Sequence, residues 1–320
     1  MIRGTIFAVA ALIAAGASAQ SVYPDKPIRW IIPYAPGGGT DAIVRPISIK
    51  ASELLGQTVV YDNRGGAGGL IAAEMVARAA PDGYTFLVAA PNTTVFPKLL
   101  HKKVPFDPVD DFDFITKFDY TPNVLVAHPS FGPNTAKEMI AYAKANPGKL
   151  NFASSGAGSG GHLAVLLLQE NLKIDVLHVP YKGAGPALTE VVAGRNHLLF
   201  INPAVAMAQY KAGRLKMLGF AGPKRLATLP EVPTFEEQGF VDFESSNFKG
   251  LVAPKGTPKH IIDKTHAVLV KIMSMPDTQA RLLAGGSIPR TTTPEQFVKE
   301  TRAEIDRWGK LMRAHGITPQ

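Results

Sequence analysis

Two glycine-rich loops are the part of this sequence whose residue types could bind an anion. Residues 35–41 read Ala-Pro-Gly-Gly-Gly-Thr-Asp, and residues 154–162 read Ser-Ser-Gly-Ala-Gly-Ser-Gly-Gly-His. Each loop follows a short apolar run typical of a strand and precedes a segment with helical periodicity. Glycine leaves backbone N–H groups uncovered, and a helix N-terminus adds partial positive charge. One such loop is as typical of a tight turn as of a binding site, but two in one chain favour two helix N-termini that hold one anionic ligand.

Polar residues in and near these loops are the candidate ligand-binding residues. Hydroxyl and backbone N–H groups suit carboxylate oxygens, which accept hydrogen bonds. Residues 91–94 add a small polar loop after a predicted strand, where open α/β sheets place ligands. The set comprises Tyr34, Pro36, Gly37, Gly38, Gly39, Thr40, Asp41, Asn92, Thr93, Ser154, Ser155, Gly156, Gly158, Ser159, His162, Lys182 and Asn202. A capping or exposed role for His162, and plain solvation of Lys182, are equally consistent with the pattern.

Other site chemistries fit the sequence less well. Residues 156–161 match the dinucleotide fingerprint G-x-G-x-x-G, but Asp175 precedes its strand and is misplaced for a ribose contact. Neither loop carries the lysine of a P-loop, and no serine of these loops lies in the G-x-S-x-G pattern of a hydrolase. The histidines show no spacing typical of a metal site. We therefore expect no cofactor and no metal. A periplasmic hydrolase that uses Ser155 or Ser159 with His162 is the rival interpretation.

The composition is typical of a soluble globular protein with roughly two domains. The 320 residues are 46% hydrophobic and 19% charged, which allows a large core. The formal net charge is +8, but the basic residues are scattered in runs of at most two, so no nucleic-acid surface is indicated. The chain has no cysteine, which excludes disulfides, thiolate metal sites and a lipid anchor on a cysteine.

The N-terminal residues 1–19 have the features of a bacterial signal peptide. Arg3 supplies a positive charge, and the apolar residues 6–15 are too few to span a bilayer. The small residues Ala17, Ser18 and Ala19 fit the cleavage rule. We therefore predict cleavage near Ala19 and export to the periplasm.

Strands and helices alternate along most of the chain, and long amphipathic helices end it. The second glycine loop is central to residues 123–247, whereas predicted helices at 258–273 and 294–314 need a sheet face to cover. This order predicts an α/β protein of two units with mixed, mostly parallel sheets. We expect residues 22–122 plus 248–320 to form domain 1 and residues 123–247 to form domain 2, with a hinge at the two crossings.

Several longer motifs give the chain a resemblance to a known family. They are YPDKPIR at 23–29, PYAPGGGTD at 33–41, NRGGAGG at 63–69, APDGYT at 80–85, NPGKLN at 146–151, SSG at 154–156, HVPYKG at 178–183 and LPEVPT at 229–234. With these motifs the chain resembles the Bug family of periplasmic solute-binding proteins, which serve tripartite tricarboxylate transporters. The matches run in order over nearly all of the chain that follows the signal peptide.

The resemblance implies a two-domain periplasmic-binding-protein fold of the Venus flytrap, type II-like kind. It implies capture of a small dicarboxylate, tricarboxylate or aromatic carboxylate without catalysis, by a monomer whose partner is a two-subunit membrane transporter. A ligand sensor for a membrane receptor kinase is a further alternative. Two departures bear on the ligand, because His197 stands where the family often has an aspartate and Phe248 where a tryptophan is common. Phe248 therefore joins the candidate ligand-binding residues.

Overall fold

The computed structural model describes residues 23–36, 39–156, 159–181, 183–241 and 243–319. The predicted signal peptide lies outside these ranges and stays a prediction. The strands are β1 (Ile28–Ile32), β2 (Val59–Asn63), β3 (Thr85–Ala89), β4 (Phe112–Pro122), β5 (Val124–Ala127), β6 (Asn151–Ser154), β7 (Leu177–Pro180), β8 (Leu198–Ile201), β9 (Lys216–Phe220), β10 (Ser246–Pro254) and β11 (Ile288–Pro289). The α-helices are α1 (Gly39–Leu55), α2 (Leu70–Ala77), α3 (Pro91–Thr94), α4 (Pro97–Leu100), α5 (Ala136–Ala145), α6 (Gly160–Leu172), α7 (Ala184–Val192), α8 (Pro203–Lys211), α9 (Lys259–Ser274), α10 (Pro276–Ala284) and α11 (Pro294–Ala314).

The strands form two sheets, and the chain passes between them twice. The first sheet has the order β11-β4-β10-β3-β1-β2, and the second has the order β7-β6-β8-β5-β9. The chain leaves the first sheet at Asn123, between β4 and β5, and returns just before β10. A hydrogen bond joins the crossings, because Asn123 N donates to Ser245 O at 2.9 Å. Asn123 O also accepts a hydrogen bond from Ala221 N, directly after β9, at 2.8 Å. The result is an α/β fold of two units linked by two adjacent strands.

Both sheets are mixed, as predicted, but parallel pairs do not predominate. β1 is parallel to β2 and β3, and β6 is parallel to β7 and β8. β10 is antiparallel to β3 and β4, β11 to β4, and β5 to β8 and β9. Among the described residues four strand pairings are thus parallel and five antiparallel, so the predicted excess of parallel pairs is wrong. The reason is that β10, which returns the chain, and β5, which enters the second sheet, run against neighbours from βαβ units.

Local sequence explains the elements that carry the glycine loops. Every residue of β1 except Arg29 is buried, as expected for an apolar run in a covered sheet. α6 begins after Ser159, whose Oγ accepts a hydrogen bond from His162 N at 3.3 Å and so caps the helix. α6 is buried from Gly161 to Leu168, in keeping with its apolar sequence. Even so, no helix in the described ranges is both long and apolar enough to cross a membrane.

The origin of the strands bears on the predicted domain boundaries. Strands of the first sheet come from residues 28–122 and 246–289, and strands of the second come from 124–220. β10, the strand that returns the chain to the first sheet, begins at Ser246, just before the predicted boundary at 247/248. The boundaries at 122/123 and 247/248 themselves stay a prediction.

Candidate functional site

A cavity of about 970 Å³ lies between the two units, and residues from both line it. In the first unit Tyr34, Asn63 and Asn92 line it at the ends of β1, β2 and just beyond β3. In the second unit Ser155 and Asn202 line it directly after β6 and β8. Parallel strands present their carboxyl ends at one edge of a sheet, so the residues that follow them converge there. We call this cavity the cleft.

Hydrogen bonds join the three loops that form the cleft wall of the first unit. Tyr34 Oη donates to Asn92 Oδ1 at 2.6 Å, and Asn92 Nδ2 donates to Gly68 O. Asn63 Nδ2 donates to Tyr34 O at 3.1 Å. Burial is the main cause that raises the pKa of Tyr34, so its hydroxyl keeps its proton and remains a donor. The side chains of this wall are therefore held in place before any ligand arrives.

The glycines of residues 65–69 allow this wall to be compact. Gly65, Gly66, Gly68 and Gly69 all line the cleft. Gly69 has φ +101°, and a Cβ there would lie 2.5 Å from Asn92 Nδ2. Only glycine satisfies both the backbone conformation and the close contact.

The wall of the second unit is the N-terminus of α6. Ser159, Gly160, Gly161 and His162 line the cleft. A Cβ on Gly161 would lie 2.8 Å from Phe200 O in β8, so the absence of a side chain lets α6 begin against the sheet. The first turn of α6, with its partial positive charge, thus faces the cleft.

The two crossings form the back of the cleft. Asn123 and Asn247, one from each crossing, line it. Asn123 Nδ2 donates to Ser245 Oγ at 3.0 Å, and Ser245 Oγ donates to Gly160 O at 3.4 Å. A Cβ on Gly160 would lie 3.2 Å from the Asn247 amide. The hinge and the start of α6 are therefore in direct contact.

The described residues of the cleft lining include no Asp, Glu, Lys or Arg. The histidines of this lining are His101 and His162. Burial, followed by the neighbouring His178 and His315, lowers the pKa of His162 to about 4. Its ring is consequently neutral at neutral pH. An anion in this cleft would meet neutral donors and helix dipoles.

Comparison with known proteins identifies the family. Residues 43–317 match the sequence profile of the tripartite tricarboxylate transporter family receptor. The chain belongs to this family. BugT of Bordetella pertussis is 33% identical over 312 residues, which cover 97% of this chain and 95% of BugT. The resemblance to the Bug family that the motifs indicated is confirmed.

Two solved structures of Rhodopseudomonas palustris proteins have the same fold as this receptor. Rpa4515, solved with adipate, has a TM-score of 0.84 and 31% identity, and the match covers 93% of this chain and 100% of that one. MatC, solved with bound malate, has a TM-score of 0.78 and 32% identity, and the match covers 90% of this chain and 99% of MatC. The predicted two-domain periplasmic-binding-protein fold is confirmed.

The receptor brings part of the candidate set to its cleft. The candidates that line it are Tyr34, Pro36, Asn92, Ser155, Ser159, His162 and Asn202. Gly37, Gly38, Gly158 and Lys182 lie outside the described residues. The lining does not include Gly39, Thr40, Asp41, Thr93, Ser154, Gly156 or Phe248. A ligand-binding role for each of these residues stays a prediction, and several have other partners.

Asp41 and Thr93 stabilise the loops from inside the protein. Asp41 Oδ1 accepts hydrogen bonds from Tyr61 Oη at 2.7 Å and from Asn63 Nδ2 at 3.2 Å. Thr93 is fully buried, and its Oγ1 accepts from Ala90 N at 3.0 Å and donates to Ala90 O at 2.9 Å. Thr93 follows the general rule that short polar side chains bond nearby backbone groups. Asp41, in the first turn of α1, instead joins that helix to β2.

The serine and histidine contacts support structural roles more than a hydrolytic one. Ser159 Oγ contacts His162 through the backbone N, which is a helix cap and not a nucleophile–base pair. Ser154 Oγ lies 2.6 Å from His178 Nε2, but Ser154 is fully buried and neither residue lines the cleft. This receptor family binds solutes, and the rival hydrolase has no support from these contacts.

Phe248 lies behind the cleft. Its ring packs edge-on against Phe297 with centroids 5.5 Å apart, and Lys117 Nζ lies 4.4 Å from its centroid. It lines a neighbouring cavity of about 260 Å³, whereas the preceding residue, Asn247, lines both cavities. Successive side chains of a strand point to opposite faces, which explains why Phe248 is turned away from the cleft.

Sequence reasoning missed three groups of lining residues. The first group, Asn63 with the glycines of residues 65–69, carried a visible signal, because it is a glycine loop directly after a strand. The second group, Asn123 and Asn247, lies at the two predicted crossings, but nothing in the sequence indicated that their side chains line the cleft. The third group is apolar and includes Phe96, Leu100, Phe200, Ile201 and Ile317. Their apolar character alone was equally typical of core positions.

Proposed function

We propose that this receptor captures a small organic carboxylate in the cleft and delivers it to a two-subunit membrane transporter. The observation that carries the proposal is the chemistry of the cleft: glycines, amides and hydroxyls from both units, with no fixed charge among the described lining residues. Such a lining offers hydrogen-bond donors to an anion and no competing carboxylate. The relatives solved with adipate and with malate support this ligand class. Cleavage of the signal peptide near Ala19 would release the receptor into the periplasm.

In this proposal, hydrogen bonds supply most of the affinity. A helix N-terminus contributes about 0.3–1 kcal/mol, whereas one hydrogen bond to a charged group contributes about 1.5–3 kcal/mol. A carboxylate that accepts bonds from both walls therefore gains more from aligned donors than from helix dipoles. Because the donors are neutral, affinity should depend only weakly on ionic strength.

A carboxylate ligand should bind at least about 100-fold more tightly than its methyl ester, which corresponds to about 2.8 kcal/mol. The ester lacks the charge that strengthens each hydrogen bond from the walls. A thermal-shift screen of carboxylates identifies the ligand, because binding to the native state raises the midpoint of unfolding. Calorimetry then compares acid and ester. Equal affinity of the two compounds would show that the cleft does not select for the anion.

Ligand binding should also draw the two units together. The units are joined by two adjacent crossings at Asn123 and Ser245, an arrangement that permits hinge closure. Small-angle scattering should therefore give a smaller radius of gyration with saturating carboxylate than without it. The weakly binding ester at the same concentration is the control and should leave the radius unchanged. A radius that stays constant with saturating acid would contradict closure.

Two further measurements separate the proposal from its rivals. The hydrolase predicts turnover of ester or amide substrates, whereas the receptor predicts none. A sensor would leave uptake unchanged when the genes of the membrane transporter are deleted. Carboxylate uptake that requires both this chain and the transporter supports delivery.

A further inference from the structure

Two stacked histidines connect the cleft to β7, the edge strand of the second sheet. The rings of His162 and His178 are nearly parallel, at 14°, with centroids 3.9 Å apart. His162 lies in the first turn of α6 and lines the cleft, whereas His178 lies in β7 and does not. We call these two residues the histidine stack. One face of the cleft histidine is therefore covered by the other ring.

A buried hydroxyl fixes the ring of His178 in the histidine stack. Ser154 Oγ lies 2.6 Å from His178 Nε2. The same oxygen accepts a hydrogen bond from Gly156 N at 3.1 Å and lies at the same distance from Gly156 O. Ser154 ends β6, and it is fully buried. The orientation of His178 is thus coupled to the glycine loop that leads into α6.

The surroundings of His162 disfavour a positive charge. His178 faces it from β7, and His315 acts on it from the end of α11. His315 itself lies 3.4 Å from Glu170 of α6, and Ser154 of β6 contributes only a neutral hydroxyl on the far side of His178. The N-terminus of α6 adds partial positive charge. Two imidazolium ions stacked at 3.9 Å would repel strongly, so the stack holds at most one charge.

We propose that His178 is a positioning residue for ligand capture: its ring covers one face of His162 and, together with the burial of His162, keeps that ring uncharged and in place in the wall of the second unit, so that His162 meets the carboxylate as a neutral hydrogen-bonding group. The proposal rests on the proposed carboxylate-binding function. It explains how His162 can lie in the cleft lining without adding a charge there. The consequence is that His162 adds no charge to carboxylate binding over the pH range in which an ordinary histidine changes charge.

The sign of the pH effect follows from the pKa of His162. In the native protein this pKa is lowered to about 4 from the ordinary 6.5, so the ring is neutral well below neutral pH. Removal of the His178 ring takes away a like charge and part of the burial, and the pKa of His162 should rise toward 6.5. His162 then gains a positive charge as the pH falls, and a positive charge attracts the carboxylate. Affinity in the variant should therefore increase toward acidic pH.

The direct test is an NMR titration of the His162 ring in the ligand-free, full-length mature protein. The signal is assigned by its loss in His162→Gln. We expect a midpoint near 4 in the native protein and at least a tenfold higher proton affinity in His178→Ala. His178→Phe is the matched variant, because it keeps an aromatic ring over His162 and loses only the charge and the bond to Ser154. Its midpoint should lie between the other two.

The second readout is the affinity for adipate, used as the probe, between about pH 8 and about pH 6. His101 lines the cleft in both proteins, so the test is the difference between them: over this range the affinity of His178→Ala should rise several-fold more than that of the native protein. A native His162 that titrates near its ordinary value, or one whose titration is unchanged in His178→Ala and His178→Phe, overturns the proposal. If adipate does not bind, the NMR result still decides the role of His178, and only the ligand class is in question. If His178→Ala does not fold, the native and His178→Phe titrations give the decision.

Discussion

Replacement of Asp119 with alanine is expected to lower the free energy of unfolding by about 3–5 kcal/mol, because it leaves a buried lysine without its partner. Asp119 is fully buried and Lys249 is 7% exposed, with Lys249 Nζ 3.3 Å from Asp119 Oδ2. The same carboxylate accepts hydrogen bonds from Thr121 Oγ1 at 2.7 Å and Ser287 Oγ at 3.2 Å. The pair joins β4 to β10, the two strands that lead to the crossings.

Urea unfolding of the variant and of a surface control measures this effect. Arg302→Ala removes an exposed pair with Asp110, whose side chains are 55% and 67% exposed, and should cost less than about 1 kcal/mol. The double variant Asp119→Ala/Lys249→Met should recover part of the loss, because it no longer buries an unpaired charge. An Asp119→Ala protein as stable as Arg302→Ala would contradict this account of the buried pair.

The loops that could be predicted from sequence are those specified by neighbouring residues. The buried run of β1 precedes the first loop, and the helix cap at Ser159 lies in the second, so strand, loop and helix are encoded within about a dozen residues each. The helix predicted at 294–314 has the bounds Pro294–Ala314, with Thr293 and Gln296 forming a capping box. Local signals sufficed for these elements because their stabilising partners are local.

Burial of both faces of β4 could not be predicted, because its charged residues find their partners far away in sequence. Lys117 and Asp119 lie inside this strand, among aromatic residues, and both are buried. Lys117 Nζ pairs with Glu300 at 2.6 Å, and Asp119 pairs with Lys249. A run of alternating charges and apolar residues is usually typical of a strand with one solvated face. Only the return of the chain in β10 and α11 makes burial of these charges possible.

The back of the cleft could not be predicted for a related reason. Asn247 lines the cleft, and its neighbour Phe248 packs against Phe297, so a register difference of one residue decides which side chain lies there. The resemblance to the family had made Phe248 a candidate ligand-binding residue. The strand alternation placed Asn247 in the cleft together with Asn123 from the other crossing.

Replacement of Gly161 with alanine is expected to weaken carboxylate binding by about 10–100-fold and to lower the free energy of unfolding by about 1–3 kcal/mol. The new Cβ would lie 2.8 Å from Phe200 O, a backbone atom of β8 that cannot rotate away. The first turn of α6 must therefore shift, and Ser159 and His162 of the cleft lining shift with it. Hydrogen bonds weaken steeply when distance and angle depart from the optimum. Calorimetry with the carboxylate found in the screen, together with urea unfolding, measures both effects.

Gly185→Ala is the matched control for this prediction. Gly185 also lies in the first turn of a helix of the same unit, α7, but a Cβ there would meet no atom within 4 Å. This change should leave binding unaltered and stabilise the fold by up to about 1 kcal/mol, the difference in helix propensity. The two variants differ mainly in the contact with β8. Weaker carboxylate binding in Gly161→Ala alone would therefore show that the start of α6 contributes to the affinity. Normal binding by Gly161→Ala would show that the start of α6 does not hold the carboxylate.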